Sequence, residues 1–268
     1  MSQAAEAIAK NIEIHNSIAD EYEARHGEIF NPIEQEGLRR RLAAAAASLP
    51  AGMRRTALDF GCGTGNVTGQ LLALGFRVIA ADVAEAFLHA VHARYGADRV
   101  AVLRLNGADL REIADESFDL VAAYSVLHHI PDYVKAVAEM ARVTQRGGVV
   151  YLDHEANEAL WQPSAEYQRF RREARHLSPW QRLIKSLRAR LRRESDKPRH
   201  EGDIHVHAED HVEWDKVRTA LAASGCEVLW EEDYLLFKTK YRREVWERYR
   251  HRLADYRCLV AQKCAVHG

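Results

Sequence analysis

Cysteine is scarce and scattered. The four thiols, Cys62, Cys226, Cys258 and Cys264, form no CxxC pair and no zinc-ligand spacing. This excludes a disulfide-stapled secreted scaffold and fits reduced thiols in a cytosol. Long apolar runs are missing as well, and the opening MSQAAEAIAKNIEIHN has no basic flank followed by an apolar stretch. The expectation is a soluble, cytoplasmic protein without a membrane span or secretory leader. Net charge is nearly absent, with 38 basic against 39 acidic residues, and 47% of positions are hydrophobic. A disordered polyelectrolyte is thereby excluded. No internal repeat is found, and low complexity is confined to short Ala and Arg runs. At 268 residues the chain lies between one average domain and two, which favours one enlarged domain or a domain with an insertion. The charge balance conceals one block: Arg169 to Arg199 holds twelve Lys/Arg against Glu173, Glu194 and Asp196.

Residues 1–50 read as a helical cover, with Ile8, Ile12, Ile18 and Tyr22 at roughly helical spacing, a break at Asn31-Pro32 and an Ala-rich Glu34 to Leu49 run. From Ala57 short apolar runs alternate with helical segments. Strands are predicted at Ala57 to Phe60, Arg77 to Ala81, Val100 to Arg104, Phe118 to Tyr124 and Gly148 to Leu152. Helices are predicted at Asn66 to Ala73, Ala84 to Arg94 and Asp132 to Val143. Such alternation predicts an α/β fold with a parallel sheet covered on both faces, its core spanning 51–153. The pattern then stops. Residues 154–208 read as an inserted, basic, largely helical lid, and 209–268 as the rest of the core. That last part has a helix at Glu209 to Ala223, a β-prone Glu227 to Phe237, a helix at Arg242 to Ala254 and a strand-like Arg257 to Ala265.

The most informative motif is Asp59-Phe60-Gly61-Cys62-Gly63-Thr64-Gly65, directly after the first strand and opening a helix. Glycines there let the backbone turn tightly and approach a ligand where a Cβ would clash. The next strand ends in Asp82, placed so that its carboxylate can accept from both hydroxyls of a ribose. Together these features predict a nucleoside-containing cofactor. The dinucleotide fingerprint wants a third glycine where this chain has Asn66, so the pattern is acid-x-Gly-x-Gly-x-Gly.

On these residues the sequence resembles the class I S-adenosylmethionine-dependent methyltransferases over Leu58 to Asp153, and within them the small-molecule branch that includes the ubiquinone-biosynthesis type. Further matches are Ser117-Phe118-Asp119, the Tyr124 to Asp132 stretch and Gly147-Gly148. The resemblance implies a Rossmann-like seven-stranded sheet. It also implies that Gly61, Cys62, Gly63, Thr64 and Gly65 line the methionine and ribose part of S-adenosylmethionine, and that Asp82 holds the ribose hydroxyls. Asp109 would contact the adenine amino group and Leu110 would offer its backbone N–H to the ring, with Asp59, Val83 and Ser125 completing the cofactor set. The product would be S-adenosylhomocysteine. Two other readings remain open: a cofactor-binding partner protein without turnover, and an NAD-dependent oxidoreductase, against which Asn66 argues.

Methyl transfer from a sulfonium is an in-line displacement, so the enzyme must align the acceptor and exclude water. An oxygen or nitrogen acceptor also has to lose a proton, a task suited to histidine. His128, after the fourth strand on the edge where open α/β sheets bind ligands, is the first candidate, with Tyr22 the tyrosine that the resemblance suggests as its partner. His154, in Asp153-His154-Glu155 at the end of the fifth strand, is the second. His205, His207 and His211 with Asp203 and Glu209 complete no ligand spacing, so no metal is expected. In the insertion, Trp180, Leu183, Ile184, Leu187 and Leu191 share one helix face opposite several arginines. That pattern suits a lid over a small anionic or lipid-like acceptor, or peripheral contact with an anionic membrane. Overall neutrality makes nucleic acid an unexpected partner. The oligomeric state is not readable.

Overall fold

In the computed structural model, residues 3–175 and 203–265 are described. Helix α1 spans Gln3–Ile18 and, after one 3-10 turn, a short α2 spans Tyr22–Arg25. Helix α3, Pro32–Ala47, starts where the Asn31-Pro32 break predicts. The Asn31 side-chain oxygen accepts from the N–H groups of Ile33 and Glu34, both at 3.1 Å, and proline occupies the first helical position, where no N–H is needed.

The alternating section follows: β1 Thr56–Phe60, α4 Asn66–Ala73, β2 Arg77–Asp82, α5 Glu85–Tyr95, β3 Val100–Arg104, β4 Phe118–Tyr124, α6 Tyr133–Val143 and β5 Thr144–Ala156. Short helices α7, Glu158–Trp161, and α8, Ala165–Ala174, come next. After the gap in description there is a small hairpin of β6, Val206–His207, and β7, Asp210–His211. The chain then returns to the core as α9 Trp214–Ala223, β8 Cys226–Tyr234, α10 Arg243–Tyr249 and β9 Tyr256–Lys263.

Seven strands form one sheet in the order β3-β2-β1-β4-β5-β9-β8. It is buried on both faces, so its central strands are predominantly apolar, and every residue of β4 is buried. Alternate side chains feed two layers. Leu58, Val121 and Leu152 meet Val137 and Met140 of α6 and Leu221 of α9. Ala57, Leu120 and Tyr151 meet Leu38 and Leu42 of α3 and Leu71 of α4. Strand order reverses between β1 and β4, and at such a switch point the carboxyl ends of the two strands diverge and leave a crevice.

Several sequence expectations need correction. The sheet is mixed, because β9 runs antiparallel to both β5 and β8. β5 continues to Ala156, so the expected lid boundary at 154 falls inside a strand. Its polar end is tolerated because it is internally hydrogen-bonded. Between Leu152 and Glu155 the pairing with β9 shifts by one residue, a β-bulge. The helix expected from Glu209 begins only at Trp214, after the hairpin. There the indole N–H donates to the Ala156 carbonyl at 2.9 Å. The basic helix expected around Trp180 to Arg193 lies outside the described residues. Among those described, no helix is long and apolar enough to cross a membrane.

Candidate active site

The crevice at the switch point is a cavity lined by Asp59, Gly61, Cys62, Gly63, Thr64, Asp82, Val83, Asp109, Leu110 and Ser125. Of the eleven residues expected to hold the cofactor, Gly65 is missing from this lining. It sits instead at the start of α4 with φ +87°, where a Cβ would come within 2.9 Å of the Tyr95 ring, so its task is helix packing. Gly61 is required for the approach itself. Its φ is +70° and an added Cβ would stand 2.3 Å from a Val126 methyl group.

The two acids of the loop divide their work. Asp59 is buried and accepts from the Thr68 hydroxyl at 2.5 Å, bracing the start of α4. Burial pushes its pKa up to about 7, against the pull of the Thr68 bonds. Asp82 accepts from the Gly63 N–H at 3.0 Å and the Ala84 N–H at 2.9 Å, which ties the glycine loop to the end of β2. Burial raises its pKa to about 6, opposed by those backbone donors.

A pH dependence follows. Asp82 accepts from hydroxyls most strongly when ionised, and its raised pKa means that it protonates as pH falls through about 6. Affinity for a ribose-bearing ligand should therefore hold above pH 7 and decline on acidification through pH 6. Calorimetry across that range checks this, and Asp82→Asn should flatten the decline. For folding the sign is opposite. The unfolded carboxyl ionises first, so the burial cost of Asp82 develops as pH rises from the ordinary carboxyl value of 3.8 towards 6.

At the far end of the cavity Asp109 accepts from Arg111 and Asn106, and the Arg111 contact holds its carboxyl well below the usual carboxylate range. Leu110 departs from expectation. Its backbone N–H donates to Glu139 Oε2 at 3.0 Å instead of being presented to a ligand. Glu139 reaches it from α6, held by Arg142 one turn further along. The sequence reading missed this pair, although the i, i+3 spacing of Glu139 and Arg142 was visible.

A second cavity adjoins the first and shares Ser125, His129, Tyr22, His15 and Ile29 with it. His128 and His154 line this second one. His128 Nδ1 donates to Glu155 Oε2 at 2.7 Å, while Glu155 Oε1 accepts from the N–H groups of Val126 and Leu127. The carboxylate only accepts, so Nδ1 carries the proton of this hydrogen bond. Ser125, just after β4, and His154, inside the bulge of neighbouring β5, both have positive φ, at 58° and 63°. Such backbone strain at a strand end often accompanies a functional site.

His154 is 2% exposed and lies against the hydroxyls of Tyr124 and Tyr234 at 3.0 and 3.4 Å. Burial, reinforced by the charge of Arg41, pushes its pKa well below the ordinary value. It is a neutral part of the wall. Tyr22 stands where the two cavities meet, its ring 4.2 Å from that of His26 and 5.1 Å from that of Phe87. His15, also missed from sequence, faces the same junction on α1, about two helical turns after Ile8. Burial, with His26 and His128 nearby, lowers its pKa to about 4.

The histidines after the gap do not come together as a set. His205 is engaged by the Asp210 carboxylate at 2.6 Å and the Ile130 carbonyl at 3.0 Å. Asp203 instead approaches His128 and His129.

Residues 58–152 match the methyltransferase domain family. The chain is 31% identical to a ubiquinone biosynthesis O-methyltransferase of Methylococcus capsulatus over 99 residues, covering 36% of this chain and 42% of that protein. It is 33% identical to a demethylmenaquinone methyltransferase of Thermobifida fusca over 136 residues, covering 50% and 56%. The chain thus spans about half the length, or less, of these curated relatives. Among solved structures, a SAM-dependent methyltransferase from Aquifex aeolicus superposes with a TM-score of 0.54 at 15% identity, covering 92% of this chain and 98% of that one. The magnesium protoporphyrin IX methyltransferase of Synechocystis with bound SAH superposes at 0.52 with 14% identity, covering 85% and 81%. These superpositions establish the shared fold.

Proposed function

Because residues 58–152 form a class I S-adenosylmethionine-dependent methyltransferase domain, we propose that the chain moves the sulfonium methyl group onto an oxygen or nitrogen of a small-molecule acceptor. The observation that carries this reading is the pair of adjoining cavities. One is lined by the glycine loop and Asp82, the other by His128 and Glu155, and they meet at Ser125 and His129. The first suits S-adenosylmethionine, with Asp82 facing the ribose and Asp109 the adenine end. The second suits the acceptor.

In the displacement the acceptor's lone pair forms the bond to the methyl carbon. The electron pair of the broken S–C bond stays on sulfur, giving S-adenosylhomocysteine. The acceptor's proton leaves at the His128–Glu155 pair in the wall of the second cavity. Arg171 and several histidines line that cavity, which supports an acceptor carrying an anionic or strongly polar group.

Calorimetry tests the cofactor assignment. S-adenosylhomocysteine should bind and NAD should not. Asp82→Ala should weaken binding by about 1.5–3 kcal/mol, the range for hydrogen bonds to a charged group. Unchanged affinity in that variant overturns the reading. A cofactor-binding partner protein would bind S-adenosylmethionine and yet yield no S-adenosylhomocysteine with any acceptor.

A further inference from the structure

We propose that His128 Nε2, His129 Nδ1 and Asp203 bind one divalent transition-metal cation, zinc by preference, at the mouth of the second cavity, with one coordination position open towards the acceptor. The proposal rests on the methyl-transfer reading only for the ion's task.

Distances are the first support. Asp203 Oδ1 lies 3.8 Å from His128 Nε2 and 3.5 Å from His129 Nδ1, and the three ligand atoms all fall within 4.8 Å of one another. These separations are too long for hydrogen bonds. Two donor atoms bound tetrahedrally to one zinc at ordinary bond lengths stand about 3.3–3.4 Å apart, so the two contacts of Asp203 need close by only a few tenths of an ångström.

Orientation is the second support. Zinc-ligating histidines characteristically give their other N–H to a carboxylate, which fixes tautomer and ring direction. Glu155 does this for His128, and is itself fixed by the Val126 and Leu127 N–H groups. Asp203 is positioned by its own backbone, since the next two N–H groups, of Ile204 and His205, donate to the His128 carbonyl at 2.9 and 3.1 Å. The ligands therefore come as one unit: the turn carrying both histidines is stitched to the segment carrying the aspartate.

Donor chemistry is the third. Two imidazoles and one carboxylate suit a borderline first-row cation. Three protein ligands leave a fourth position vacant, as catalytic zinc sites do. All three residues line the second cavity, so the site borders the space proposed for the acceptor. With the ion bound, the Nε2 lone pair goes to the metal. In the metal-loaded chain this replaces direct proton transfer to His128: an acceptor oxygen taking the fourth position is acidified by the cation and releases its proton to water before attacking the methyl carbon.

The test uses the full chain freed of metal by chelation and titrated with Zn²⁺ and Co²⁺ by calorimetry, with visible absorption following Co²⁺. The expected result is one ion per chain with the absorption of nitrogen and oxygen ligands. His129→Gln and Asp203→Asn should each weaken Co²⁺ binding at least tenfold. S-adenosylhomocysteine affinity should stay unchanged in Asp203→Asn, whose side chain lines the second cavity and not the first, reporting an intact fold and cofactor cavity. Absence of stoichiometric binding, or equal Co²⁺ affinity in wild type and both variants, overturns the site. Failure of wild type to bind S-adenosylhomocysteine would count against the methyltransferase reading and leave the metal result standing.

Discussion

Replacing His128 with Ala is expected to cut turnover by about a hundredfold or more while leaving S-adenosylhomocysteine affinity unchanged. His128 lines the second cavity and is absent from the lining of the first, so truncation should reach the chemical step without touching cofactor binding. The effect is large because the side chain is already positioned: Glu155 holds the ring through Nδ1 at 2.7 Å in the wall of the second cavity, and that placement is lost with the ring. His154→Ala serves as the contrast. A buried imidazole with a strongly lowered pKa is a poor partner for a proton at neutral pH, so its removal should act mainly on stability. Single-turnover rates measured beside calorimetric affinities separate the two cases. If turnover survives His128→Ala and falls with His154→Ala while folding is intact, the proton leaves one strand further along.

The second large effect is on folding. Arg41, on α3, is buried and donates to Asp153 Oδ2 at 3.0 Å, with its guanidinium 4.0 Å from the centre of the Tyr234 ring. Asp153 also accepts from the Tyr151 hydroxyl at 2.5 Å, the Tyr234 hydroxyl at 2.9 Å and the His154 N–H at 2.7 Å. Arg41→Ala leaves a buried carboxylate without its counter-charge, and such a change costs about 3–5 kcal/mol. Denaturant unfolding should show that loss. In the Arg41→Ala/Asp153→Ala double variant the loss should be smaller than the sum of the two single losses, because neither charge is then stranded. A loss below about 1 kcal/mol, as for an exposed pair, would mean that water reaches the network.

How far the fold was legible depended on whether a segment's order came from its own residues. Asn66–Ala73 was read with its observed bounds because a glycine opens it and apolar residues recur at helical spacing. β4 was read equally well because, after Asp119, Leu120 to Tyr124 is a continuous apolar run. β5 was read too short because its end, Asp153-His154-Glu155, looks like a solvated loop; those side chains are buried through partners on α3, β4 and β8 that no local pattern announces. The cofactor cavity was legible for the same reason as α4, since glycine spacing and strand-end acids are local signals. The approach of Asp203 to His128 depends on a backbone pairing between remote segments, and neither residue carries a trace of it. Leu110 shows the converse: a local match assigned its N–H to a ligand, while an acid from another helix takes it in the structure.

The bulge in β5 works as a phase shift in the alternation of side chains. In a regular strand Asp153 and Glu155 would point to the same face. With one extra residue between Leu152 and Glu155, Asp153 reaches Arg41 on one side of the sheet while Glu155 reaches the His128 turn on the other. One strand end thus serves two opposed clients, the anchor of the N-terminal helices and the orientation of the candidate base. Deleting a single residue here would let the ladder with β9 close up regularly, yet it would reverse the parity of everything beyond it. Such a chain could keep a well-paired sheet and still lose the alignment of His128, so tolerance of the fold to length changes at this point would not imply tolerance of the chemistry.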